Sequence, residues 1–393
     1  MMGLADYYRR QVAILTPHFV SPMTETFDIG TCQWGGGERY LIDLATLITE
    51  RGHSVTLYQA SEKPWTGTVR GFTLHGVGAG GRRDRCGFHP KTAEAFRTRV
   101  ADNYDLCIYM NIDVSIYANP NSIAVTHGIF WDSFKTADLK WTDKTWLNSM
   151  YSAHMNPKLV VSVDTNSINW VRAVFGTDTA SRMRYIPNYA DAGVYRASKN
   201  KPVCQGVRTP GKTVVLFARR LSGPRGIDPM LQAATSILDD SSMTDVVFRF
   251  VGKGSKVYED HIRALGKRFP DRCSYAIHEM DGMEQEYWNA DISVIPTLAC
   301  EGTSLTAIES MAAGCVTIAT RVGGLTDLVL DGHNGLLVHP SAGEIEAAVR
   351  RAITDKDLST RLSKMGRTVF EESFTKERWK SQWVRVLSEV GEY

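Results

Sequence analysis

The chain has 393 residues, of which 43% are hydrophobic and 22% are charged, so it can bury the cores of two or three domains and lacks the composition of a disordered chain. Its 45 basic and 43 acidic residues nearly balance, which argues against a dedicated nucleic-acid-binding protein. No stretch reaches the roughly 18 apolar residues of a membrane span, and the first apolar run is too short for a signal peptide.

The seven cysteines are scattered along the chain and form no CxxC pair. This pattern indicates neither a zinc site nor a disulfide framework. We therefore expect a protein of the reducing cytoplasm, with no metal site.

Short apolar runs alternate with helical periodicity in the first half of the chain. Gln11–Thr16 predicts a buried strand, and Gly37–Gly52 has apolar residues at helical spacing and ends on a glycine that suits a helix C terminus. A second strand, Ser54–Gln59, completes the βαβ unit of a parallel sheet. Further strands are predicted at Tyr104–Met110, Ser122–His127 and Leu159–Asp164.

The alternation stops in Ile186–Lys212, which is rich in Pro, Gly and charge and predicts a linker. It then resumes to the C terminus, which predicts a second α/β domain followed by a last amphipathic helix, Thr375–Val390. We predict an α/β protein with two doubly wound Rossmann-like domains that face a cleft. The predicted boundaries are residues 1–188, 189–212 (linker), 213–374 and 375–393.

Two glutamates eight positions apart, Glu301 and Glu309, lie around a predicted strand-to-helix turn. Gly302, Thr303 and Ser304 form the turn, and the first N–H groups of the helix that follows have no partner within it. Such a helix start favours a phosphate, and a carboxylate next to it suits the hydroxyls of an attached sugar. The alternative is that Glu301 is a helix cap and Glu309 a solvated helix residue.

Three other features are candidates for the same cleft. Arg220 and Arg225 follow a predicted strand and could bind a diphosphate. Gly36 and Gly37 open a helix and would let backbone N–H groups approach a ligand closely. His127 ends a strand at its carboxyl end. A surface basic cluster, a plain tight turn and a structural histidine are the respective alternatives.

Together these features resemble the retaining glycosyltransferases of family four, which have the two-Rossmann-domain (GT-B) fold. The resemblance extends over essentially the whole chain. Its most specific part is the Glu-x7-Glu pattern of Glu301 and Glu309 with the Gly-Gly turn that follows. The glycine loop near Gly36 and the segment Arg184–Asp191 match the family in the expected order.

The resemblance implies a role for each matching residue. Glu301 would hold hydroxyls of the donor sugar, Glu309 the ribose of the nucleotide, and the N–H groups of Gly302, Thr303 and Ser304 the diphosphate. Arg220 matches the arginine of the family, and Arg225 stands where a lysine is usual. His127 would lie near the sugar, and Gly36 and Gly37 near the reacting centre.

The resemblance further implies a metal-independent hexosyltransferase in which the leaving diphosphate takes the proton of the acceptor on the same face. We expect a UDP-sugar as donor and no separate cofactor. The acceptor would be a glycan or glycoconjugate, with peripheral contact at the inner face of the membrane. Alternatives are a sugar-nucleotide epimerase or phosphorylase of the same fold, or a non-catalytic sugar-nucleotide-binding subunit. The oligomeric state stays open.

Two segments of the first domain suggest an anionic acceptor. Ala79–Val100 carries an excess of basic residues, including Arg82, Arg83 and Arg85. Gly128–Trp146 supplies Trp131, Trp141 and Trp146, whose rings could stack on sugars. A solvated helix face and core tryptophans are the alternative interpretation.

Overall fold

The computed structural model describes residues 9–32, 34–84, 86–132, 144–195, 211–278 and 282–391. The chain divides into two compact units. Unit 1 comprises Met1–His127, Lys135–Ile186 and Lys380–Tyr393, and unit 2 comprises Gly128–Phe134 and Pro187–Trp379.

Unit 1 is built on an eight-stranded sheet of order β3-β4-β2-β1-β5-β6-β7-β8. Its strands are β1 (Gln11–Thr16), β2 (Ser54–Gln59), β3 (Pro64–Val69), β4 (Phe72–Val77), β5 (Leu106–Tyr109), β6 (Ser122–Thr126), β7 (Leu159–Ser162) and β8 (Met183–Tyr185). Its helices are α1 (Gly36–Glu50), α2 (Pro90–Arg99), α3 (Lys144–Met155), α4 (Thr165–Phe175) and α5 (Thr177–Ala180).

The sheet of unit 1 is parallel except for the edge pair β3 and β4, which is antiparallel. The central strands β5 and β6 are buried along their whole length, because helices cover both faces of a parallel sheet. The sequence analysis missed the β3–β4 hairpin. Exposed and half-buried residues alternate along β3, so this strand lacks the continuous apolar run that marked the buried strands.

Unit 2 contains a six-stranded, fully parallel sheet of order β11-β10-β9-β12-β13-β14. Its strands are β9 (Thr213–Ala218), β10 (Val246–Val251), β11 (Cys273–Ala276), β12 (Ile292–Ile295), β13 (Val316–Thr320) and β14 (Leu336–Val338). The helices are α6 (Ile227–Asp239), α7 (Lys256–Arg268), α8 (Met283–Asn289), α9 (Leu305–Ala313), α10 (Leu325–Leu328), α11 (Ala342–Thr354) and α12 (Lys356–Ser373). The last helix, α13 (Lys376–Val390), begins in unit 2 and continues in unit 1.

The predicted fold class, two Rossmann-like α/β domains, is therefore confirmed. The predicted linker is only partly irregular. Its first residues pack within unit 2, where Tyr189 lies 4.3 Å from the ring of Trp379 and the N–H of Ala190 donates to the carbonyl of Phe374 at 3.0 Å. Residues 196–210 of that linker lie outside the described residues.

The last helix, α13, carries two fully buried tryptophans, Trp379 and Trp383. Trp379 belongs to unit 2, and the residues from Lys380 onwards belong to unit 1. In unit 1, Trp383 Nε1 donates to the hydroxyl of Tyr40 in α1 at 2.8 Å. Within the described ranges, none of the helices combines the length and apolar character that a membrane crossing requires.

Candidate functional site

The turn between β12 and α9 in unit 2 is the centre of the candidate site. Glu301, Thr303 and Ser304 are 8%, 0% and 4% exposed, which is unusual for polar residues in a turn. Ser304 has extended backbone angles and is the N-cap of α9. The N–H groups of the first helical turn therefore point out of the helix end, where the helix dipole favours an anion.

The carboxylate of Glu301 is the meeting point of three side chains. Its Oε2 accepts hydrogen bonds from Arg219 Nη2, from Arg225 Nη1 at 2.9 Å and from Thr297 Oγ1 at 2.8 Å. Burial alone would raise the pKa of Glu301, but Arg219 and Arg225 outweigh burial and lower the pKa below its ordinary value. Glu301 is thus an anion held between two cations at neutral pH.

The arginine that contacts Glu301 is Arg219, whereas the sequence analysis named its neighbour, Arg220. Arg219 directly follows β9 and is buried, and its Nη1 also donates to Thr297 Oγ1. Arg220 is exposed. The two adjacent arginines therefore differ in burial and in their contacts.

Arg225 reaches the same carboxylate from a tight turn, Gly223–Arg225, that precedes α6. Its Nη1 also donates to the carbonyl of Cys300 at 2.9 Å. The next residue, Gly226, has a φ of +80°, and a Cβ there would lie 1.7 Å from the carbonyl oxygen of Pro296. Only glycine fits this close approach, which brings Arg225 beside the loop that carries Glu301.

Two further segments support the turn. The side-chain hydroxyl of Thr303 accepts from the backbone N–H of Asn188 at 2.8 Å, and Asn188 Nδ2 donates to the carbonyl of Thr303 at 2.5 Å. On the other side, the N–H of Gly324 donates to the carbonyl of Glu301 at 3.0 Å. A Cβ at Gly323, whose φ is +51°, would lie 2.1 Å from that carbonyl oxygen.

Glu309 lies within α9, about two helical turns from Glu301, and is 8% exposed. Its Oε1 accepts a hydrogen bond from the hydroxyl of Tyr195 at 2.8 Å. Burial raises the pKa of Tyr287 well above its ordinary value, and the charge of nearby Glu309 raises it further. Glu309 is therefore a buried carboxylate among tyrosines, not the solvated helix residue of the alternative interpretation.

Unit 1 carries a second group of predicted residues. His127 directly follows β6, and its Nε2 is buried and has no hydrogen-bond partner among the described residues. Burial lowers the pKa of His127 to about 4, although a hydrogen bond with the backbone of Met110 opposes this shift. The ring of Tyr40 lies edge-on at 5.2 Å. The imidazole is thus neutral at physiological pH.

The glycines of unit 1 leave the start of α1 open. Gly36 and Gly37 are the first residues of α1, after Gly35 as N-cap, and both are exposed. A Cβ at Gly37 would meet no atom within 4 Å. Packing inside unit 1 therefore does not require glycine at position 37.

Some of the predicted acceptor-binding side chains are engaged within their own units. Arg83 pairs with the buried carboxylate of Asp113 at 2.9 Å and donates through Nε to His89 at 3.3 Å, whereas Arg82 is exposed. Trp131 in unit 2 and Trp146 in unit 1 are 4% and 2% exposed, which favours the alternative that they are core tryptophans. Arg85 and Trp141 lie outside the described residues.

Several residues of these groups were not found from the sequence. They are Thr297, Asn188 and Tyr195. Their contacts with Arg219, Thr303 and Glu309 join residues 78, 115 and 114 positions apart in the chain. Thr297 had one signal, since it closely follows β12 at the carboxyl end of the sheet, where ligands bind in open parallel sheets. Among the described residues, no group of three His, Cys, Asp or Glu side chains is arranged to hold a metal ion.

The chain has two α/β units with parallel sheets, and one of them carries a carboxylate and two arginines at the start of a helix. These features define a GT-B-type protein. The family of glycosyl transferases, group 1, matches residues 205–369 of this chain. A lipopolysaccharide 1,2-N-acetylglucosaminetransferase from Salmonella typhimurium is 30% identical over 189 residues, which are 45% of this chain and 49% of that protein. The match thus spans about half or less of the length of the first curated relatives.

Solved structures show the same fold over nearly the whole chain. A sucrose-phosphate synthase from Thermosynechococcus elongatus is 20% identical with a TM-score of 0.75, covering 97% of this chain and 99% of that one. HepE from Anabaena in complex with UDP-glucose is 18% identical with a TM-score of 0.71, covering 97% of this chain and 100% of that one. The resemblance to GT-B glycosyltransferases is confirmed.

Proposed function

We propose that this chain is a retaining glycosyltransferase that moves a sugar from a nucleotide-diphosphate sugar to a hydroxyl group of an acceptor. One observation carries the proposal: Arg219 and Arg225 meet the carboxylate of Glu301 at the N terminus of α9. The two arginine cations and the N terminus of the helix suit the binding of an anionic diphosphate. The carboxylate beside them suits the sugar hydroxyls.

Donor binding would rearrange the charges of this cluster. The diphosphate competes with Glu301 for Arg225, whose side chain is one-third exposed, and takes hydrogen bonds from the N–H groups of the turn Gly302–Ser304. Glu301 then accepts hydrogen bonds from the donor sugar, and Glu309 from the ribose. For His127, Gly36 and Gly37, a place near the sugar rests on the resemblance alone, as does a diphosphate contact for Arg220.

In the proposed reaction, the bond between the anomeric carbon and the diphosphate oxygen breaks. The acceptor oxygen forms its bond to that carbon on the same face, and the acceptor proton passes to the leaving diphosphate. No protein nucleophile is involved. The chain stabilises the charge that grows on the leaving group, through Arg225 and the N terminus of α9, which are oriented before the reaction begins.

The finer assignments have weaker support. A UDP-sugar is proposed because HepE, which shares the fold, was solved with UDP-glucose. A glycan or glycoconjugate acceptor is proposed because the Salmonella relative is named for lipopolysaccharide. A cytoplasmic location and contact with the inner face of a membrane remain predictions.

A screen of UDP-, ADP- and GDP-sugars by thermal shift tests the donor class. A bound donor at about 100 times its Kd stabilises the chain by about 2.7 kcal/mol, a shift of several degrees or less for a chain of this size. Acceptor trials with the best donor follow, and NMR of the product should show the anomeric configuration of the donor.

Three outcomes would contradict the proposal. An inverted anomeric centre would exclude a retaining transfer. An epimerised sugar formed without acceptor would favour an epimerase. Donor binding with neither sugar transfer nor slow hydrolysis of the donor would favour a binding subunit.

A further inference from the structure

The hydroxyl of Tyr195 donates a hydrogen bond to the carboxylate of Glu309 in α9, and this contact joins residues 114 positions apart. The donor–acceptor distance is 2.8 Å, and Tyr195 is 3% exposed. A buried carboxylate requires hydrogen-bond donors to offset its lost hydration. Tyr195 supplies such a donor to Glu309.

The position of Tyr195 is itself well determined. Its N–H donates to the carbonyl of Asp191 at 2.9 Å, and its carbonyl accepts from Arg367 Nη1 at 2.7 Å. Its ring packs edge-on against Tyr287 at 5.8 Å. Backbone, ring and hydroxyl are therefore each fixed by a different neighbour, and the hydroxyl can impose one orientation on the carboxylate of Glu309.

We propose that Tyr195 is a positioning residue that orients Glu309 toward the ribose hydroxyls of the donor nucleotide. The inference rests on the proposed function, in which Glu309 receives the ribose. A carboxylate has about four lone-pair sites on two oxygens. Hydrogen bonds from Tyr195 and from Tyr287 to Glu309 therefore leave acceptor capacity for a vicinal diol. Orientation before binding saves the entropy of ordering the side chain in the complex.

Tyr195→Phe is a suitable test because it removes the hydroxyl and keeps the ring, which packs on Tyr287. The probes are UDP and 2′,3′-dideoxy-UDP, and their Kd values are measured by calorimetry with the full chain. Tyr104→Phe is the matched control. It removes a hydroxyl from the Tyr58–Tyr104 hydrogen bond of 2.8 Å, which lies within unit 1, whereas α9 belongs to unit 2.

We expect the wild-type chain and Tyr104→Phe to bind UDP about 10- to 100-fold more tightly than the dideoxy analogue, as hydrogen bonds to a charged group predict. In Tyr195→Phe, that preference should fall at least 5-fold, with the Kd of the dideoxy analogue changed less than 2-fold.

Two results would overturn the inference. In Tyr195→Phe, the preference for UDP over the dideoxy analogue could stay unchanged because both affinities stay the same or because both fall equally. Either case would assign Tyr195 a purely structural role. If wild type binds UDP without any preference for the ribose hydroxyls, Glu309 does not hold the ribose and the inference fails with it. If wild type binds neither UDP nor any other nucleoside diphosphate, the proposed function itself is wrong.

Discussion

Glu301 shows how a single buried carboxylate can organise a turn. Its Oε2 collects Arg219, Arg225 and Thr297, so the charges of the two arginines converge on one point. Because the site is largely buried, these charges act more strongly on each other, and on an anionic ligand, than they would in water.

Glu301→Gln and Glu309→Gln should each lower kcat by at least about 100-fold at saturating donor, since a neutral amide stabilises neither the sugar hydroxyls nor the arginine pair as a carboxylate does. Steady-state kinetics with the donor found in the screen would measure this effect. Circular dichroism spectra that match wild type would show that the fold is intact. Near-normal turnover in either variant would contradict the assignment of that glutamate.

Arg219 and Arg220 allow a direct comparison of adjacent residues. Arg219→Lys should lower kcat/KM by more than 10-fold, because a lysine cannot bridge Thr297 and Glu301 as the guanidinium does. Arg220→Lys should change kcat/KM by less than about 3-fold, because that side chain is exposed. The reverse order of effects would favour Arg220 over Arg219 as the arginine that binds the diphosphate.

The diphosphate site is predicted to work without a metal ion. Two arginines and the N terminus of α9 already supply positive potential. Turnover should therefore persist, within about 2-fold, after dialysis against excess EDTA. A complete loss that magnesium reverses would show that a cation takes part in donor binding.

At the scale of elements, the candidate site depends on two turns that pack against each other. The turn after β13, which contains Gly323 and Gly324, lies against the turn that begins α9, and the N–H of Gly324 holds the carbonyl of Glu301. The backbone position of Glu301 is therefore set by a segment that belongs to a different βα connection.

Gly323→Ala should reduce donor affinity by about 10-fold or more and lower the melting temperature. Its Cβ would lie 2.1 Å from the carbonyl oxygen of Glu301, so that turn has to shift. Gly332→Ala is the matched control, since Gly332 also has a positive φ, of +72°, but no atom within 4 Å of its Cβ. Both variants share the backbone strain, of about 1 kcal/mol or more.

Thermal-shift titration with the donor separates the backbone strain, which both variants share, from the displacement of the Glu301 turn, which only Gly323→Ala causes. Equal donor affinity in Gly323→Ala and Gly332→Ala would show that contact between the two turns is not needed for donor binding.

At the scale of the molecule, unit 1 contains several buried ionisable groups whose protonation differs between the folded and unfolded chain. Burial lowers the pKa of His89, His127 and His154 to about 4 from an ordinary value of 6.5. Burial raises the pKa of Asp113 to about 6, although Arg83 opposes this shift. The three histidines and the aspartate therefore have opposite effects on stability as the pH falls.

The melting temperature should fall when the pH is lowered from 7.5 to 5. Below pH 6.5 the unfolded chain binds protons at the histidines while the folded chain does not until about pH 4. Each such group costs up to about 1.4 kcal/mol per pH unit in that window. Protonation of Asp113 stabilises the folded chain as the pH falls below about 6, but this one aspartate does not offset the three histidines.

Calorimetry at both pH values measures the change. His154→Gln, which keeps a side-chain donor for the carbonyl of Met150, should show a smaller decrease than wild type. A melting temperature that is constant or rises on acidification would contradict the predicted linkage.

The sequence by itself determined what depends on local pattern. Apolar runs and helical spacing predicted most strands and helices of both units. The glycine at the end of the first helix was predicted as well: Gly52 has a positive φ of +90°, a conformation that favours glycine at a helix end. Glu301 and Glu309 were found because their spacing is itself local.

Only the tertiary structure decided which side chains meet. It joined Arg219 to Glu301 and Tyr195 to Glu309, paired Arg83 with buried Asp113, and buried Trp131 and Trp146. Each outcome depends on which face of an element is covered by residues distant in the chain. The local spacing of residues does not predict those neighbours, because long-range packing and burial determine them.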